Sequence, residues 1–106
     1  FYNERDCIKL FLDKLKKFRN VNKIIFRPHP YNAISKYQWL KKIDKNIIIR
    51  KDESLFNEIL KNDIIVGCNT VALILGLFAK KKVFTSIPTG FTCNIPSNKI
   101  RYINKI

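Results

Sequence analysis

The residues with the most distinct chemistry lie in KIIFRPHPYN, Lys23 to Asn32. A short apolar run ends there in Arg27, Pro28, His29 and Pro30. His29 is the one histidine of the chain, and two of its four prolines bracket it. An imidazole held in that place can donate a hydrogen bond to a phosphate oxygen, or serve as a general base. The prolines on either side restrict its backbone. The Arg27 guanidinium can pair with a phosphate through two parallel N–H groups. The plainer reading is a loop histidine whose prolines only end a strand, beside a surface arginine.

A second candidate is GCNT, Gly67 to Thr70. Gly67 allows a sharp turn, and Asn69 and Thr70 offer polar side chains at the mouth of an apolar helix. The unpaired N–H groups and positive dipole end of a helix favour an anion. The plainer reading is an N-cap that satisfies only its own helix. Two further loops carry polar groups. Asp52, Glu53 and Ser54 can meet a base or ribose, or simply cap the next helix. Ser86, Thr89 and Gly90 can close over a ligand, or form a plain turn. No second histidine stands ready to complete a metal site, so no metal is expected.

These groups need elements to position them. Cys7, Ile8, Phe11, Leu12, Leu15 and Phe18 recur at three and four, which predicts a helix from Asn3 to Phe18. Short apolar runs at Lys23–Arg27, Asn46–Arg50, Ile64–Val66 and Lys82–Thr85 predict four strands. Helical spacing fills the intervals at Ala33–Lys42, up to Leu60, and at Val71–Ala79. Leu55, Phe56, Ile59 and Leu60 are expected to face inward. Trp39, Phe11, Phe26, Phe56 and Phe78 are expected in the core. The tail from Ser86 reads as a loop leading to a last short helix. Continuous rather than alternating apolar strands signal a parallel sheet buried on both faces. The fold class is therefore α/β, a Rossmann-like open parallel sheet of about four strands with flanking helices. In such sheets ligands bind beyond the carboxyl ends of the strands. All the candidate groups above follow a strand.

The 106 residues suit one small domain. The chain opens in a helix where such a fold ordinarily opens in a strand, and it contains no Met. Both features lead us to expect a piece of a longer protein that lacks its first strand. The scattered cysteines Cys7, Cys68 and Cys93 are odd in number and have no metal-knuckle spacing, so reduced thiols are expected. No run of about 18 apolar residues offers a membrane span. The net charge of +13 admits two readings, an anionic partner or the Lys- and Asn-rich usage of an AT-rich genome. The basic residues are dispersed, without an arginine-rich arm or an RNA-stacking aromatic motif, which disfavours nucleic acid.

His29–Pro30 after one strand and Asn69–Thr70 after a later one form an ordered pair. With the KDES loop, SLFNEILKNDIIVGCNTVAL and VFTSIPTG, the pair resembles the C-terminal nucleotide-binding half of GT-B glycosyltransferases. The likeness is to bacterial sialyltransferases and polysialyltransferases that use CMP-activated sugars, and it covers Lys23 to Pro96. In that group an HP motif and a later Ser–Ser or Ser–Thr motif hold the nucleotide phosphate. The resemblance implies that residues 1–106 are part of a nucleotide-sugar-binding domain serving capsule or lipopolysaccharide synthesis. It implies a CMP-sugar donor, a separate N-terminal acceptor domain that supplies the catalytic base, and no cofactor. It also implies a cytoplasmic location, with peripheral contact to an anionic membrane. CDP- or UDP-dependent sugar or polyol-phosphate transfer is the alternative within this fold. A non-enzymatic basic module is the alternative outside it. The chain departs from the pattern in three places. Asn69 replaces the first serine, no carboxylate stands near Leu75–Gly76 to meet a ribose, and the turn after that helix reads AKKKV where a glycine is expected.

Overall fold

The structure, a computed structural model, describes residues 3–18, 21–68 and 70–106. Two compact units emerge from it. The smaller is Arg19–Ser54, and the larger joins Phe1–Phe18 with Leu55–Ile106. The smaller unit is thus an excursion of the chain between two segments of the larger.

In the smaller unit β1 (Ile24–Phe26) and β2 (Ile47–Ile49) pair in parallel, Ile24 opposite Ile47 and Phe26 opposite Ile49. Parallel pairing needs a crossover. It is made by a 3₁₀ turn at Ile34–Tyr37 and α2 (Leu40–Ile43). The helix expected across Ala33–Lys42 is thus split around Gln38 and Trp39. Tyr37, Leu40, Ile47 and Pro28 are this unit's buried residues among those described. The Phe26 and Tyr37 rings meet at 4.8 Å.

The larger unit opens with α1 (Glu4–Asp13). Its start is a capping box: Asp6 N–H donates to Asn3 Oδ1 at 2.9 Å, and Asn3 N–H donates to Asp6 Oδ2 at 3.1 Å. The helix ends earlier than the apolar spacing predicts, and Leu15–Lys17 tightens into a 3₁₀ turn. The chain resumes with α3 (Leu55–Leu60), β3 (Ile64–Gly67), α4 (Val71–Phe78), β4 (Lys82–Thr85) and β5 (Ile100–Tyr102). The strands lie in the order β3-β4-β5, all parallel. Val83, Phe84 and Thr85 are buried in succession, as a strand covered on both faces requires. The α/β parallel class read from the sequence is the one observed. Five strands are present among the described residues, because Ile100–Tyr102 adds an edge to β4 ahead of the expected last short helix, a 3₁₀ turn at Ile103–Lys105.

Ile59, Ile65, Leu73, Val83, Cys93 and Ile100 form the core of the larger unit. Gly76 explains itself here. A Cβ on it would lie 2.9 Å from Val83 Cγ2 and 3.2 Å from Ile65 Cγ1. The glycine therefore lets α4 press onto β3 and β4, at a helix-propensity cost of about 1 kcal/mol relative to alanine. Beyond α4 the chain turns through Lys80 at φ 59°. Lys81 N–H donates to Gly76 O at 2.9 Å and Lys80 N–H to Leu77 O at 3.0 Å. That pair of bonds is a Schellman closure, with lysine in the left-handed position that glycine usually fills.

Three expectations are corrected. The inward face of α3 is only partly the predicted one: Ile59 is buried and Leu55 packs on the core as expected, but Glu58 is buried too, and Phe56 and Leu60 are about half exposed. A helix of little more than one turn is oriented by what it packs against, and its own pattern cannot fix the angle. Phe78 is 78% exposed, standing off the core at the last turn of α4. Finally, Cys7 and Cys68 are joined by a disulfide, with 6.8 Å between their Cα atoms, and Cys93 keeps a buried free thiol. The apolar stripe of α1 turns Cys7 to the buried side, where the loop after β3 passes. A sequence separation of 61 carries no trace of that meeting.

Candidate functional site

β1 ends at Phe26, and the chain enters Arg27-Pro28-His29-Pro30 at the carboxyl edge of the small sheet. Pro28 is buried and anchors this segment from below, while His29 is exposed. Asn32 N–H donates to His29 O at 2.9 Å, closing a turn with Pro30 in its second position. Proline suits that position because its φ is already set. Tyr31 N–H donates to His29 Nδ1 at 3.3 Å, and the two rings lie 5.1 Å apart. An imidazole whose Nδ1 accepts carries its proton on Nε2 when neutral. The backbone thus selects a tautomer in which the exposed end of the ring is a hydrogen-bond donor.

The two strand-end loops of this unit are tied together by charged side chains. Arg27 Nη1 donates to Glu53 O, which draws the loop after β2 toward β1. Lys51 Nζ donates to Pro30 O at 3.1 Å and to Asn32 O at 2.7 Å, clamping the His29 turn. Asn32 Nδ2 in turn donates to Tyr37 Oη at 3.0 Å. In these bonds both cations donate to neutral carbonyls, and the loop after β2 also carries the carboxylates of Asp52 and Glu53. Asp52 and Ser54 are exposed and Glu53 is half-buried on the same loop.

The second candidate loop belongs to the larger unit. Gly67 closes β3, and a Cβ there would meet Thr70 Oγ1 at 3.0 Å and Leu73 Cδ2 at 3.3 Å. A side chain there would make Thr70 and Leu73 give way by a few tenths of an ångström. Thr70 is the N-cap of α4 in extended conformation, yet its hydroxyl makes no capping bond to the described helix amides. Asn69 lies outside the described residues. Cys68, next to Gly67, is held on several sides. Its carbonyl accepts from Thr85 Oγ1 at 2.9 Å and from Cys93 Sγ at 3.4 Å, and its sulfur lies 3.6 Å from Ser86 Oγ.

Of the third loop, Ser86 is buried against Cys68, while Thr89 and Gly90 are exposed. Phe91 N–H donates to Pro88 O at 3.2 Å, and Gly90 has φ 92°. A positive φ at the third position is what a type II turn requires. His29, Pro30 and Arg27 thus share one unit with Asp52, Glu53 and Ser54, and Gly67 and Thr70 share the other with Ser86, Thr89 and Gly90.

Sequence reasoning missed Lys51 as a clamp. The signal was present: parallel pairing of Phe26 with Ile49 puts the residues after the two strands at one edge. It also missed Thr85, whose place in an apolar strand hid its hydroxyl, and the disulfide. Among the described residues, no group of His, Cys, Asp or Glu is gathered to hold a metal ion, and no helix is long and apolar enough to cross a membrane. Comparison with family models, curated proteins and solved structures finds no match.

Proposed function

We propose that this chain forms part of the nucleotide-sugar-binding domain of a bacterial glycosyltransferase of surface-polysaccharide or lipopolysaccharide synthesis, with a CMP-sugar as donor. The observation that carries the reading is the His29 turn. Its ring is exposed beyond a parallel strand, its Nδ1 is satisfied by Tyr31 N–H, and Lys51 and Arg27 stand in the same strand-end loops. An Nε2–H donor with Lys51 and Arg27 in the neighbouring loops is suited to a phosphate oxygen. Because its turn is already formed, less ordering is required on binding. As the bond to the sugar breaks, negative charge grows on the leaving nucleotide phosphate, and a fixed donor there stabilises the transition state more than the ground state. Thr70, whose hydroxyl is not spent on its own helix, supports the second half of the motif. The acceptor site and catalytic base belong to a separate N-terminal domain, on the cytoplasmic side of the membrane.

The test is a titration of the isotope-labelled chain with CMP, CDP, UDP, GDP and a short single-stranded DNA, followed by NMR. CMP is expected to shift the resonances of His29 and Tyr31 and those of Thr70, and His29→Ala is expected to abolish the response. Shifts with DNA alone, steeply weakened by salt and indifferent to His29, would instead identify a nucleic-acid-binding module.

A further inference from the structure

The exposed side of α4 is apolar. Val71, Ile74 and Phe78, spaced three and four apart, are 58%, 38% and 78% exposed. Ile74, Leu77 and Phe78 face Ile95 and Pro96 across an open groove of about 420 Å³. Lys80 and Lys82, both exposed, follow Phe78, and the exposed Lys99 follows the other wall. The surroundings are mainly basic. From Ile64 to Ile106 the chain holds Lys80, Lys81, Lys82, Lys99, Arg101 and Lys105, and no Asp or Glu; Asp63, exposed, stands beside Lys82, whose N–H donates to its carbonyl at 3.2 Å. Arg101 is engaged over the Phe84 ring, and Lys105 over that of Tyr102. Lys81 donates to Leu60 O at 3.2 Å. For Lys80, Lys82 and Lys99 no such anchoring contact marks the ammonium groups.

We propose that the C-terminal turn of α4, with Phe78 at its tip and Lys80, Lys82 and Lys99 around it, docks this protein on an anionic lipid leaflet. Charge complementarity selects the occupant. A second copy of the chain would set lysines against lysines. An anionic leaflet neutralises them and receives the apolar stripe at the boundary between headgroups and acyl chains. Lys80 adds an independent sign. Its left-handed backbone is disfavoured for a residue with a Cβ, and glycine would fit without that cost. A lysine there serves its charge at the expense of its backbone. The inference does not depend on nucleotide binding, and either can fail alone.

The test is co-sedimentation of the full chain with vesicles of phosphatidylcholine, alone or mixed with phosphatidylglycerol. Binding is expected only to the anionic vesicles. Phe78→Ser is expected to weaken it about tenfold or more. Lys80→Gly and Lys82→Gln are each expected to weaken it about fivefold. Lys80→Gly is also expected to raise the urea midpoint, because glycine relieves the turn. Lost binding in a more stable protein cannot be ascribed to unfolding. Vesicle binding that survives both Phe78→Ser and Lys80→Gly overturns the proposal. So does a dimer that Phe78→Ser dissolves, or capture of soluble polyglutamate by the same residues without vesicle binding.

Discussion

The turn that carries His29 is held by long cationic side chains reaching to backbone carbonyls: Arg27 to Glu53, and Lys51 to Pro30 and Asn32. The loop that leads to Thr70 is held instead by a covalent bond from Cys68 to Cys7, and by Thr85 and Cys93 on the Cys68 carbonyl. The first set of bonds is partly wet and individually modest, near 1 kcal/mol each. A turn held so can give by small amounts when an anion competes for its cations. Cys68 is joined covalently to α1 and held at its carbonyl, and has no such latitude.

The largest break in that contrast comes from removing the covalent bond. For a closed loop of this length the chain-entropy estimate is about 4 kcal/mol. Cys7→Ser/Cys68→Ser is expected to lower the stability of the larger unit by up to that amount in urea unfolding. The resonances of His29 and Tyr31 should stay where they are. Thiol titration of the denatured chain should count the one free thiol of Cys93 before reduction and all three cysteines after it. A smaller effect is expected where the larger unit relies on close packing. Gly76→Ala gains helix propensity but drives a methyl into Val83 and Ile65, for a net loss of about 1–3 kcal/mol by calorimetry. The smallest effect sharpens the other side. Lys51→Met removes the clamp but leaves its carbonyls open to water, so about 1 kcal/mol or less is lost. The signature is faster amide exchange at Asn32, whose N–H closes the turn, with no change at Cys68 or Thr85.

Part of this was legible in the sequence, for reasons that differ by element. β4 appears at its predicted bounds, Lys82–Thr85, because a strand buried on both faces has to be continuously apolar, and few other elements are. β3 reads as clearly, and Gly67 marks its end. β5 was missed because Ile100-Arg101-Tyr102 is only three residues long and is a strand by virtue of pairing with β4, a long-range fact. α3 was found, but only Leu55 and Ile59 of its expected inward face meet the core, since six residues leave the stripe to be set by neighbours. Gly76 read as a weakness in a helix until β3 and β4 supplied the reason. At the candidate site, the sequence pointed to His29, Arg27 and Thr70 by type and place. It could not disclose the Tyr31 N–H that sets the tautomer, or Lys51 bridging to Pro30 and Asn32. Those depend on how a parallel pair brings two loops to one edge.

The order of the chain gives the Cys7–Cys68 bond one more consequence. Every residue of the smaller unit falls between those two cysteines, so the bond makes that unit a bead on a closed ring. A protease that cuts once at the exposed His29 turn would open the ring without parting the molecule. The two fragments would still travel together, each keeping its share of the larger unit, until a reductant released them.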